Sequence, residues 1–149
     1  MTARRTALAA TLAAALATVL ALPPRAAQAQ NLDLARPHKV VFQVSDADPA
    51  KWNLALNNAR NVWADLGRDN VAIEVVAYGP GIGMLKLDSP VATRVAEAMA
   101  AGMSVVACGN TMKNQKLARE DMLPNIGYVE AGVVQLMKRQ REGFAYVRP

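Results

Sequence analysis

Three short, nearly uninterrupted apolar runs, separated by helix signals, constrain what this chain can fold into. Residues 38–45 (HKVVFQVS), 71–78 (VAIEVVAY) and 103–107 (MSVVA) carry few polar residues at their centres. A strand with one wet face alternates apolar and polar residues, whereas a run apolar at successive positions needs cover on both faces. The segments between the runs supply that cover. Asp48-Pro49 is a capping residue followed by a first-turn proline. Trp52, Leu56, Ala59, Val62 or Trp63, and Leu66 then recur at helical spacing up to the stop at Gly67. Ser89-Pro90 repeats that start, with Val91, Val95, Ala98 and Met99 as the apolar stripe and Gly102 as the stop. Such alternation predicts an α/β fold. We expect a single three-layer domain with a mainly parallel sheet of about five strands, flanked by helices through right-handed crossovers, in a flavodoxin- or Rossmann-like topology.

The C-terminal third continues the pattern. A short helix is expected over roughly residues 111–117 and another turn before Pro124. Residues 126–129 predict a short strand. Residues 132–141 predict a helix with Val133, Leu136, Met137 and Gln140 on one side, and with Lys138, Arg139 and Arg141 suiting its C-terminal end. Residues 144–147 (FAYV) predict a last strand at a sheet edge. An edge strand bearing Phe144, Tyr146 and Val147 needs cover, so a homo-oligomer is expected.

The N-terminus is read as a leader. Arg4 and Arg5 precede an Ala/Leu/Val/Thr run over residues 7–22, and Ala27-Gln28-Ala29 has the A-x-A form of a cleavage site. Sixteen residues rich in alanine are short for a permanent membrane span. The division expected is a secretory signal peptide over residues 1–29, a loose lead-in over 30–37 and the α/β domain over 38–149, with a periplasmic location and no membrane contact after cleavage. Arg4, Arg5 and Arg25 leave with the leader and no acidic residue does, so the formal charge falls from +5 to +2. No basic run with interleaved aromatics survives, which argues against a nucleic-acid partner.

Cys108 is the chain's single cysteine, and it stands where the third apolar run meets a helix signal. One cysteine makes neither an internal disulfide nor a cysteine zinc site. Gly109 lets the backbone turn, and Asn110 or Thr111 can cap the following helix. A thiol there faces the positive end of a helix dipole, with Lys113 and Lys116 a turn beyond, and both effects favour the thiolate. The same residue also fits a small buried apolar side chain. His38, the only histidine, precedes the first strand and lies at the opposite end of a parallel sheet. A Cys–His pair within one subunit is therefore not expected. A copper or haem site using Cys108 with Met103 or Met112 is the weaker reading, because methionines at these spacings belong to a core. No metal and no cofactor are expected. Residues 79–83 (GPGIG) follow the second strand at the same carboxyl end as Cys108. Gly79 and Gly81 could offer backbone N–H groups to an anion, although neither GxxxxGK[ST] nor GxGxxG is present.

The order of elements, Tyr78-Gly79-Pro80-Gly81 after the second strand, the stretch from Gly102 to Cys108 (GMSVVAC), and the tail from Gly127-Tyr128-Val129 through Gly132-Val133-Val134 to Arg148-Pro149 together resemble the DsrE/DsrF-like family of sulfur-relay proteins. The resemblance spans most of residues 38–149. It implies a small α/β domain that assembles into homomeric or heteromeric complexes. It also implies that Cys108 matches the cysteine that carries a persulfide in sulfur-transferring members. Family relays are generally cytoplasmic, and the leader departs from that.

Two functions follow as expectations. The first is a periplasmic sulfur-binding or sulfurtransferase-like carrier. Cys108 would hold the persulfide, Gly109, Asn110 and Lys113 would stabilise the anion beside it, and a protein thiol would act as donor or acceptor. The second is a non-catalytic, homo-oligomeric small-ligand-binding module in which Cys108 is buried or touches the ligand near Gly79 and Gly81.

Overall fold

Each apolar run becomes a strand, and the strand faces divide the molecule. The computed structural model describes residues 32–149; the expected leader and its cleavage site lie outside the described residues. Strands β1 (His38–Val44), β2 (Val71–Ala77), β3 (Ser104–Cys108), β4 (Gly127–Val129) and β5 (Ala145–Val147) form one all-parallel sheet in the order β4-β3-β2-β1-β5. Helices α1 (Pro49–Leu66), α2 (Ala92–Ala100), α3 (Gly109–Asn114) and α4 (Gly132–Arg141) connect them. The first four strands step across the sheet one after another. The chain then returns through α4 to lay β5 beside β1, so the sheet is wound on both faces. This is the expected three-layer α/β domain.

Alternation along the strands assigns the layers. Val40, Phe42, Val44, Val71, Ile73, Val75, Ala77, Val105 and Ala107 join the larger core with Trp52, Leu56 and Trp63 of α1 and Val95 of α2. Val41, Ala72, Val76 and Val106 point the other way and meet Leu136 of α4 and Phe144 in a smaller core. Burying side chains of this size contributes about 1.5–3 kcal/mol each.

Helix α1 starts as its sequence dictates. The Asp48 carboxylate accepts from the Ala50 N–H at 2.8 Å, Pro49 fills the first turn, and the Gly67 N–H closes the far end on the Trp63 carbonyl at 3.0 Å. Helix α2 does not start where Ser89-Pro90 promised. Ser89 instead builds a turn, its carbonyl accepting from the Ala92 N–H at 3.0 Å, and the helix begins at Ala92 without a side-chain cap.

The glycine-rich segment 79–83 is no open loop. It winds as a 3-10 helix over Gly79–Leu85. Gly81 is required there, because a Cβ at that position would sit 2.3 Å from the Val44 carbonyl oxygen.

The inner face of α4 also departs from the sequence reading. Gly132, Leu136 and Arg139 are buried, whereas Val133, Met137 and Gln140 are exposed. The reason is electrostatic. Glu74 sits in the middle of β2, 1% exposed, on the α4 side of the sheet. Arg139 reaches down to it with two parallel hydrogen bonds, Nε to Oε1 and Nη2 to Oε2, each 2.9 Å. Ser104 Oγ donates to Oε2 at 3.1 Å and Gln135 Nε2 to Oε1 at 2.7 Å, so both oxygens are satisfied. Glu142 takes the remaining arm of Arg139 at 2.6 Å. Burial alone would push the Arg139 guanidinium down, but Glu74 and Glu142 hold it above the usual arginine range. Arg139 is therefore an anchor of α4, not a solvated cation at its end.

Removing one partner strands the other. Arg139→Met leaves a buried carboxylate without its counter-ion and is expected to cost about 3–5 kcal/mol in urea unfolding. The double variant Glu74→Met/Arg139→Met should regain most of that loss. A single variant as stable as the parent would contradict the assignment.

Candidate functional site

Parallel strands present their carboxyl ends on one rim, and ligand sites of open α/β sheets lie there. Cys108 is the last residue of β3, paired with Val129 at the end of β4. Helix α3 follows with no intervening loop, so Cys108 is itself the residue that precedes its first turn. Asn110 and Thr111, expected as caps, are instead the second and third helical residues. That shift places their N–H groups around the sulfur rather than their side chains around the helix end.

The sulfur sits between opposing demands. It is near buried, at 5% exposure. As a thiol it donates to the Glu130 carbonyl at 3.7 Å. Burial pushes its pKa up. The Thr111 hydroxyl and the backbone N–H groups of Gly132, Thr111 and Asn110 outweigh burial and bring the thiol below its ordinary value. Cys108 makes no side-chain capping bond to α3, and the Asn110 N–H is already engaged by the Glu130 carbonyl, so these groups favour the anion through their dipoles around the sulfur. The arrangement favours a thiolate, the nucleophilic form of cysteine.

Three elements hold these donors in place. The Thr111 hydroxyl accepts from the Gly79 N–H at 2.9 Å, and Gln115 Nε2 donates to the Gly79 carbonyl at 3.2 Å. The Gly81 N–H is bonded to the Tyr78 carbonyl at 3.1 Å. The N–H groups of Gly79 and Gly81 are thus spent inside the protein, and Gly79 works on the site indirectly, by fixing Thr111. The Asn110 N–H also donates to the Glu130 carbonyl at 3.0 Å, tying the first turn of α3 to the segment that leads into α4. Gly132 opens α4 against the Tyr78 ring, with 3.0 Å between a Cβ built there and the ring. Lys113 lies exposed in the last turn of α3, at the end away from the sulfur.

Tyr78, Tyr146, Asp46 and Arg148 share the rim with Cys108. Burial pushes the Tyr78 phenol up, with Tyr146, Asp46 and Cys108 adding to the rise and Arg148 opposing it. Asp46 and Arg148 pair at 3.7 Å, and the Tyr146 hydroxyl donates to the Gln43 side-chain carbonyl. Sequence reasoning missed Thr111 as a thiol partner, along with Gly132 and Tyr78. A signal for Thr111 did exist: its place three residues after Cys108 matches the reach-back spacing of a capping box. His38 begins β1 at the opposite rim, exposed. Among the described residues no three His, Cys, Asp or Glu side chains gather as a metal site, and no helix is long and apolar enough to cross a membrane.

A scan against protein-family models gave no match, and a search of curated proteins gave none. Solved structures do match. Protein MTH1491 of unknown function from Methanobacterium thermoautotrophicum is 38% identical, with a TM-score of 0.72 over 75% of this chain and 99% of that one. The conserved protein of unknown function BT1422 from Bacteroides thetaiotaomicron is 16% identical, with a TM-score of 0.57 over 74% of this chain and 94% of its own, a likeness of fold.

Thr111→Val removes the hydroxyl from the sulfur and should raise the Cys108 pKa, while Thr111→Ser should leave it near the parent value. The far-ultraviolet thiolate absorbance followed against pH reads this without a reagent having to reach the sulfur. The folded protein stabilises the thiolate, so the stability that Cys108 contributes is present above the ordinary thiol pKa of about 8.5 and is lost as pH falls through the lowered folded value. Identical titration curves for the parent and Thr111→Val would refute the role of Thr111.

Proposed function

We propose that this chain, which belongs to the same family as MTH1491 of Methanobacterium thermoautotrophicum, binds sulfane sulfur on Cys108 and hands it to a second thiol. The observation that carries the reading is the thiol at the carboxyl end of β3, surrounded by the Thr111 hydroxyl and three backbone N–H groups that favour its anion. The resemblance to DsrE/DsrF-like sulfur-relay proteins supports the same chemistry.

In the transfer, the Cys108 thiolate attacks the outer sulfur of a donor persulfide, R–S–SH. A new S–S bond forms on Cys108 as the donor's S–S bond breaks. R–S⁻ leaves and Cys108 becomes Cys–S–SH, with no net oxidation. Passing the sulfur on reverses these roles. The chain has no other cysteine, so donor and acceptor are both separate molecules. The donors that favour a thiolate would serve the persulfide anion as well. With Cys108 only 5% exposed and its thiol bonded to the Glu130 carbonyl, the reaction requires the surroundings of the sulfur to yield. Export to the periplasm belongs to the same proposal and rests on the N-terminal sequence alone.

The same low exposure favours a second reading, a homo-oligomeric binding module in which Cys108 serves packing. Mass spectrometry of the intact protein after polysulfide treatment separates the two. A carrier gains mass in steps of one sulfur, reversed by reductant and absent from Cys108→Ser. A folded protein with a free thiol and no added mass would remove the carrier reading. Homo-oligomerisation is proposed from Val133, Val134, Met137 and Tyr146, all exposed on α4 and β5. Light scattering at micromolar concentration should show more than one subunit per particle, and a strict monomer would overturn that.

A further inference from the structure

At the amino-terminal rim, away from Cys108, a cleft of about 150 Å³ opens between α1 and α2. Its apolar floor includes Leu56, Trp63 and Met103, and Arg60, Arg68 and Arg94 stand around it. Among the described residues none of the three arginines pairs with a carboxylate. Glu97 also lines the cleft but is exposed and bound to none of them, so the charge there is net positive.

The guanidiniums are held without being neutralised. The Arg68 guanidinium lies over the Trp63 ring, 5.0 Å from its centre, a contact that holds the cation without neutralising it. Arg94 donates to the side-chain carbonyls of Asn53 and Asn57, the latter at 2.7 Å. Arg60 approaches the same Asn57 oxygen at 3.5 Å. Neutral amide partners orient an arginine yet leave its charge for a ligand. Packing between α1 and α2 explains the apolar floor. It does not call for three uncompensated cations above it.

We infer that this cleft binds a small organic anion, its apolar body on Trp63, Leu56 and Met103 and its carboxylate or sulfonate among Arg60, Arg68 and Arg94. The size of the cleft sets the class. It is well below the 300 Å³ or so where pockets for drug-sized ligands begin, so a single aryl ring or a short acyl chain is the apolar body it suits. The site is separate from the sulfur chemistry and does not depend on it.

Benzoate is the probe, titrated into the full chain by calorimetry. Benzamide keeps the ring without the charge, and inorganic phosphate keeps the charge without the ring. Saturable one-to-one binding of benzoate is expected, weakened about tenfold or more in Arg60→Gln and in Arg68→Gln, each of which removes a charge-assisted bond. Benzamide should bind at least tenfold more weakly. Both arginines are exposed, so the variants should stay folded, Arg60→Gln with the parent's urea midpoint and Arg68→Gln with one lowered only by the lost contact on Trp63. Cys108→Ser should bind benzoate like the parent. No saturable binding, or binding unchanged in both arginine variants, would overturn the site. Phosphate binding as tightly as benzoate would overturn the assigned ligand class.

Discussion

A carboxylate in the middle of a parallel sheet must be met from the adjoining layer, and the pairing of Glu74 with Arg139 meets that demand. The bidentate contact at 2.9 Å fixes which side of α4 faces inward. It places Leu136 over Val76 and Val106 and turns Val133 and Met137 outward. It also sets the position of Gly132, the first residue of the same helix, whose N–H is one of the donors around Cys108. Thus the charge pair near the sheet centre and the polarised thiol at its rim are joined by one short rigid helix. Replacing such a pair by apolar residues often leaves stability unharmed, so its contribution here lies in orientation.

Much of the fold was legible because local signals and the overall architecture agree. The apolar runs of β1, β2 and β3 need two covered faces. Asp48-Pro49 and Gly67 mark the ends of α1, and Trp52, Leu56 and Trp63 mark its buried side. Placing Cys108 at the carboxyl end of a strand followed from that alternation alone. The errors fall where a distant partner decides. Arg139 near a helix C-terminus reads as a solvated cation matched to the dipole, and nothing local reveals that its acceptor lies 65 positions earlier. Ser89-Pro90 has the form of a helix start, yet Ser89 closes a turn instead.

At the site, the residue type was readable and its setting was not. A lone cysteine before a glycine admits both a buried and a reactive thiol. What separates them is the convergence of Thr111, Asn110 and Gly132 from two helices, held by Gly79 and Glu130. Those contacts depend on the pairing of β3 with β4 and on the packing of Gly132 against Tyr78.

The return of the chain through α4 to β5 also has a bearing on synthesis. Strands β1 to β4 and one complete layer of helices are encoded before residue 132, while the opposite layer arrives only with the final segment. Until then Val41, Ala72, Val76 and Val106 lie on an uncovered sheet face of the kind that invites stacking between unfinished chains. Glu74 stands among them. A carboxylate in that position makes a dry contact across the face costly until a cation meets it, and in the finished domain Arg139 of α4 is that cation.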